Sequence, residues 1–209
     1  MTKKENLPAA TVGVCEHGNS AVLVTLASSG ALLDRRKIDL TPKGMPTHPH
    51  HHEGSWAVGR YRGSAWAREI TLAEAIELVE RVRDAAALGA RENLDSLAAT
   101  IPIPIITIAL RACPALPPTI EACIRDNRAQ TYADTVMYRK ALAAAAKERG
   151  WSVRWYDRDL VFQNAALALG CEDIDLFLSE MGRSAGPPWQ AKQKLAAAAA
   201  MAASLTQKP

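Results

Sequence analysis

Aromatic residues are scarce in this chain, at 5% of 209 residues, and several features that would assign its class are missing. No window approaches the ~20 apolar residues that a membrane span needs, and the polar start MTKKENLPAA lacks the apolar core of a signal peptide. The four cysteines are far apart and form no CxxC pair, which is typical of reduced thiols in a cytosolic protein. No glycine-rich loop of Walker or Rossmann type is present, so no nucleotide cofactor is expected. The sequence therefore predicts a cytoplasmic protein without a membrane span.

Strong charge of one sign is also missing. The formal net charge is +3, so a polyanion-binding field cannot be deduced from the net value and must come from local clusters. The apolar content is ordinary, but much of it is alanine. The length suits one α/β domain, while the oligomeric state stays open.

The second half of the chain contains the pattern that predicts the fold class. Residues Pro102–Leu110 read as a buried strand, Thr119–Arg149 follow a helical period, and Trp151–Tyr156 read as another strand. This order is typical of a parallel βαβ crossover. The helix is longer than average, so we expect a break near Asn127–Tyr132.

Three strands are predicted before the crossover, at Thr11–Cys15, Ala21–Ala27 and Ala31–Leu40. They are expected to be antiparallel, with the charged third strand at the sheet edge. Five further helices are predicted outside the crossover.

Thr71 and Glu74 form the capping box of the first of them. The predicted ranges are Thr71–Leu88, Arg91–Ala99, Asp159–Leu169 capped by Asp157 or Asp159, Asp173–Met181, and Gln190–Ser204, which Trp189 is expected to pin. The expected organisation is a disordered lead over 1–10, an α/β domain over 11–182 with a long histidine-rich loop at 41–69, and an alanine-rich C-terminal helix within 183–209 that packs on the same domain.

This element order resembles the ribonuclease H-like superfamily, which includes the Holliday-junction resolvases. The opening segments VGVCEHG, AVLVTL and GALLDRRKIDL are similar to the first hairpin of that superfamily. The resemblance implies a mixed sheet and action on nucleic acid. It also implies carboxylates on the first strand, at the end of the fourth strand and on the last helix, where they bind two divalent metals.

The carboxylates that the resemblance implies are mostly absent. The acid of the first strand would be Glu16, Ala109–Cys113 holds no carboxylate, and neither Asp nor Glu occurs from Gly182 onward. Either the scaffold is kept without the chemistry, or other residues perform it.

The histidines are concentrated in one place. Four of the five lie between His48 and His52, and the fifth, His17, is next to Glu16. In an extended segment His48, His50 and His52 would point one way, and His51 with Glu53 the other. Imidazoles with a carboxylate suit a divalent metal, with Mg, Mn and Zn as candidates. The alternative is a solvated Pro/His-rich loop.

A second group of polar residues lies in the long helix. Asp126, Gln130 and Asp134 are spaced by four, so they share a face if the segment is helical, and Arg128 lies nearby. This face would bind a metal or a phosphate. The alternative is a solvated face with internal ion pairs.

Basic and aromatic residues alternate between Arg60 and Arg68. Arginine beside Tyr61 and Trp66 is a pattern that binds phosphates and stacks bases. The alternative is that both rings fix the loop onto the core.

Together these features predict a domain that acts on or binds nucleic acid. In a metal-dependent phosphodiesterase, a divalent metal would activate water and a loop histidine would act as general acid. The candidate catalytic residues are Glu16, His17, His52 and Asp134. The candidate metal ligands are Glu16, His48, His50, His52, Glu53, Asp126 and Asp134. The candidate nucleic-acid contacts are Arg35, Arg36, Arg60, Arg62, Arg68 and Arg128. The competing hypothesis is a non-catalytic scaffold that binds a protein or a nucleic acid through residues 60–68 and the final helix.

Overall fold

One mixed five-stranded sheet organises the computed structural model, which describes residues 8–204. The strands are β1 Ala10–His17, β2 Ser20–Ala27, β3 Leu32–Asp39, β4 Ile105–Arg111 and β5 Ser152–Tyr156. Their order in the sheet is β3-β2-β1-β4-β5, and β2 alone runs opposite to the other four. This is the ribonuclease H-like arrangement, and it confirms the predicted hairpins, edge strand and crossover. Of the predicted lead, residues 1–7 lie outside the described residues, and Ala10 already belongs to β1.

Helices cover both faces of the sheet. They are α1 Glu53–Ala57, α2 Leu72–Thr100, α3 Ile120–Arg125, α4 Ala129–Glu148, α5 Val161–Leu169, α6 Ile174–Ala185 and α7 Ala191–Ser204. Alternate residues of β1 point to opposite faces, so Val12 and Val14 pack with α2 and α4, whereas Cys15 packs with α5 and α7. None of these helices is long and apolar enough to cross a membrane.

Helix α2 is one helix where the sequence predicted two. Gly89 lies in the gap between the two predicted helices, but in the structure it is inside α2 and permits a close approach. A Cβ at Gly89 would lie 2.3 Å from the carbonyl oxygen of Leu40. The predicted capping box is confirmed, because Thr71 Oγ1 accepts from Glu74 N and Glu74 Oε2 accepts from Thr71 N.

The predicted break in the long helix is confirmed at residues 126–128, between α3 and α4. Asp126 Oδ1 accepts from the backbone N–H groups of Arg128 and Ala129, both at 2.8 Å. Asp126 therefore caps α4 and does not lie on its surface with Gln130 and Asp134. Helix α5 was expected to have an aspartate cap, but its N-cap is Leu160, and Asp157 instead accepts from Asp159 N.

Helix α7 packs directly on the sheet through small residues. A Cβ at Gly13 would lie 1.8 Å from Ala196 O, so glycine is required where the two backbones meet. Trp189 pins the entry to α7 as expected, because its Nε1 donates to Leu178 O at 2.8 Å and its ring lies against Gly182. The helix thus seals the second face of the domain.

Candidate functional site

A cleft of about 1080 Å³ opens where the carboxyl ends of three neighbouring strands meet. It is lined by residues 15–18 at the end of β1, residues 111–117 at the end of β4, and residues 156–159 at the end of β5. The starts of α4 and α7 complete the walls. Open α/β sheets bind ligands at this edge, so the cleft is the first place to look for function.

Glu16 lies at the inner end of this cleft and is held in a buried ion pair. Arg139 Nε donates to Glu16 Oε1 at 2.6 Å, and its Nη1 donates to Ala112 O at 2.9 Å. The Arg139 and Glu16 side chains are only 4% and 5% exposed. Because Glu16 faces α4, its carboxylate points away from the face of the sheet that α7 covers.

The histidine-rich segment turns helically, so the predicted extended alternation is wrong. His52 N donates to His48 O at 2.8 Å, and Trp56 N donates to His52 O at 3.1 Å. As a result the rings of His48 and His52 are neighbours, with centroids 5.5 Å apart. We call residues 48–57 the histidine turn.

Asp134 anchors the histidine turn to α4. Its Oδ1 accepts from His50 N at 3.0 Å and contacts His50 Nδ1 at 2.8 Å, and its Oδ2 accepts from His51 N at 3.1 Å. Asp134 is 1% exposed. Nearby, Ser55 Oγ donates to Gln130 Oε1 at 2.7 Å. The predicted polar face of the helix is therefore real at Gln130 and Asp134, and it binds the chain's own loop.

One histidine of the turn, His48, reaches the end of β1. His48 lines the cleft with His17, and a Cβ at Gly18 would lie 3.3 Å from His48 Cε1. Burial lowers the pKa of His48, which favours the uncharged ring at neutral pH.

The predicted metal ligands are not gathered at one point. Glu16 is paired with Arg139, His50 and Asp134 bind each other, and Glu53 lines a separate pocket beside Arg68. Over residues 8–204, no three His, Cys, Asp or Glu side chains lie close enough to share one ion. The two-metal centre of ribonuclease H-like nucleases does not fit this arrangement, because the one carboxylate at the end of β1 already has a cationic partner.

Three of the predicted nucleic-acid contacts form hydrogen bonds within the chain. Arg35 donates to four carbonyls in residues 185–188 at 2.6–3.0 Å. Arg36 forms a bidentate pair with Asp34 at 2.8 and 2.9 Å. Arg60 donates to Gln130 Oε1 and to two carbonyls of α3. Multiple short donations of this kind fix a guanidinium in place.

The other three predicted contacts are exposed. Arg128 lines the cleft, Arg62 lies in the loop after the histidine turn, and the guanidinium carbon of Arg68 lies 5.9 Å from the ring centroid of Trp56.

Sequence reasoning missed three basic residues of the cleft, namely Arg111, Arg158 and Lys192. The signal was available for two of them. Arg111 ends β4 and Arg158 comes two residues after β5, so both lie at the carboxyl edge of the sheet where ligands bind. Lys192 could be placed only once the packing of α7 was known.

Two solved structures are similar to this chain over most of its length. One is T. thermophilus RuvC in complex with a Holliday junction substrate, with 16% identity, a TM-score of 0.49, and coverage of 93% of this chain and 91% of that chain. The other is the Thermus thermophilus RuvC structure, with 14% identity, a TM-score of 0.44 and coverage of 92% of each chain. No protein-family model matches the chain, and neither does any curated protein. The fold is ribonuclease H-like. What the cleft does must be argued from its own side chains.

Proposed function

We propose that this chain binds nucleic acid through phosphate contacts in the cleft and does not hydrolyse the bound strand. The buried Glu16–Arg139 pair carries this proposal, because it neutralises the carboxylate at the position where a nuclease of this fold needs a metal ligand. The cleft is nevertheless open to solvent, and basic side chains line it.

The phosphate contacts come from four basic side chains that line the cleft, which are Arg111, Arg128, Arg158 and Lys192. Within residues 8–204, none of these four side chains takes part in an ion pair or a hydrogen bond. Guanidinium groups match the geometry of phosphate oxygens, and basic walls attract a polyanion at long range.

Two of the acidic residues in the cleft accept hydrogen bonds from the backbone. Asp126 accepts from two N–H groups at the start of α4, and these bonds lower its pKa. Asp157 accepts from Asp159 N. With Asp159, these carboxylates lie among the basic side chains of the cleft, so a bound phosphate must lie closer to the basic side chains than to the acids.

Metal-dependent hydrolysis is the competing function. It requires Glu16 to leave Arg139, and breaking a buried pair costs about 3–5 kcal/mol because a charge is left without a partner. It also requires a further ligand near Glu16, and the described chain offers no group of three. These two requirements favour nucleic-acid binding without hydrolysis.

The proposal is tested by fluorescence anisotropy with labelled DNA over a range of salt concentrations. Arg158→Glu and Lys192→Glu should each weaken binding and lower the slope of log K against log salt by about one. Arg91→Glu is the matched control, since Arg91 is an exposed residue of α2 outside the cleft. Binding that is insensitive to salt, or that Arg91→Glu weakens equally, would overturn the proposal.

A further inference from the structure

A row of aromatic rings runs from the cleft to the tip of the connection between β3 and α2. Its members in order are His48, His52, Trp56, Trp66 and Tyr61, with successive centroids 5.5, 6.5, 6.1 and 4.9 Å apart. We call these five residues the aromatic row. One end lines the cleft, and at the other end Trp66 and Tyr61 are 54% and 45% exposed. The rings of Trp66 and Tyr61 therefore do not fix the loop by burial in the core.

The outer part of the row lines a half-open pocket of about 220 Å³. Every lining residue carries a ring: His51, His52, Trp56, Tyr61 and Trp66. A site walled by flat rings is suited to a flat, π-bearing ligand. Tyr61 has φ +61°, a left-handed conformation that aromatic residues rarely adopt, while its ring contacts Trp66.

Two lining residues also have unmet polar groups. Within residues 8–204, His51 Nδ1 and Trp56 Nε1 are buried without a hydrogen-bond partner. Both atoms are shielded from the surface, so the lining that a ligand would meet is almost entirely apolar. This lining favours contact with the flat face of a nucleobase.

Two exposed arginines lie beside the row, and one of them, Arg68, also lines a separate pocket with Glu53, Glu69, Glu74 and Glu77. Arg68 is exposed and lies over the face of Trp56, and Arg62 is exposed next to Tyr61. Arginine beside aromatic rings is the usual arrangement for binding single strands, because the cation holds the phosphate while the ring stacks the base.

We propose that the aromatic row stacks unpaired nucleobases of a strand whose backbone lies in the cleft. This inference rests on the proposed function and narrows its substrate class to nucleic acid with exposed bases. In a continuous duplex the base faces are covered by neighbouring bases, so the row contributes nothing to duplex binding.

The test compares labelled oligothymidylate, oligouridylate and a fully paired duplex of the same length, by anisotropy with the full chain. Wild type should bind the unpaired strands more tightly than the duplex. Trp66→Ala should weaken binding of the unpaired strands about tenfold and leave duplex binding unchanged. Trp66→Phe keeps a ring and should retain most of the affinity. Trp155→Ala is the matched control, since Trp155 is 46% exposed on β5, outside the row.

The two proposals fail in different ways. If Trp66→Ala binds unpaired strands as wild type does while Arg158→Glu still weakens binding, stacking is refuted and the cleft proposal stands. Equal weakening of duplex and unpaired strands by Trp66→Ala also refutes stacking. If wild type binds none of the three probes, both proposals are refuted. A tenfold loss on either the deoxyribose or the ribose strand supports stacking and identifies the sugar that the site accepts.

Discussion

The inner end of the cleft and the outer end of the aromatic row differ in the burial and the pairing of their side chains. At the inner end, Glu16 and Arg139 are buried and satisfied by each other. At the outer end, Tyr61 and Trp66 are exposed. The carboxylate that resembles a metal ligand is thus paired within the fold, whereas exposed rings lie in the basic and aromatic stretch at 60–68.

The largest expected effect comes from breaking the inner pair. Arg139→Ala leaves Glu16 buried without its cation and should lower the free energy of unfolding by about 3–5 kcal/mol in chemical denaturation. The double variant Glu16→Leu with Arg139→Met removes both charges and should lie much closer to wild type. A mild effect of Arg139→Ala alone would show that the carboxylate does not depend on this partner.

A smaller effect is expected where the histidine turn meets α4. Asp134→Asn replaces a charged acceptor of two backbone N–H groups and should cost about 1.5–3 kcal/mol, the range for hydrogen bonds to charged groups. Amide hydrogen exchange should rise most in residues 48–57, because they lose their anchor. Asp84→Asn, at an exposed residue of α2, is the control. Unchanged protection of the turn would contradict the anchoring role.

The smallest expected effect is the pH dependence of stability that comes from His48, which lies in both the cleft and the aromatic row. Burial lowers the pKa of His48 in the folded state, so the unfolded chain binds this proton more tightly. Stability should therefore fall as the pH drops below about 6.5, the ordinary histidine pKa, toward the lower folded value. His48→Gln should make the decline of the unfolding midpoint between neutral and mildly acidic pH less steep. An identical decline in this variant would refute the role of His48.

The fold could be predicted from the sequence because its signals are local. The β-branched runs and the Thr71 capping box each depend on neighbours a few residues apart. The break before α4 was expected from the length of the helical segment. The single helix α2 was predicted as two, with residues 89–90 between them. Only the tertiary contact with Leu40 explains why a glycine is needed inside that helix.

The site was predicted less well because its decisive contacts are distant in sequence. Glu16 and Arg139 are 123 residues apart, and nothing local marks them as partners. The histidine cluster was found from composition, but its geometry was taken from an extended chain when residues 48–57 turn helically. Trp56 was overlooked for the same reason, since its ring joins the aromatic row only when the segment turns.

The central claim is that Glu16 serves as the partner of Arg139 and not as a metal ligand. The most direct measurement incubates wild type with labelled single-stranded, duplex and four-way-junction DNA, in parallel in EDTA and in Mg²⁺ or Mn²⁺, and follows both binding and strand cleavage. The account predicts binding that persists in EDTA and intact strands in every lane. Metal-dependent cleavage that disappears in Glu16→Gln would contradict it.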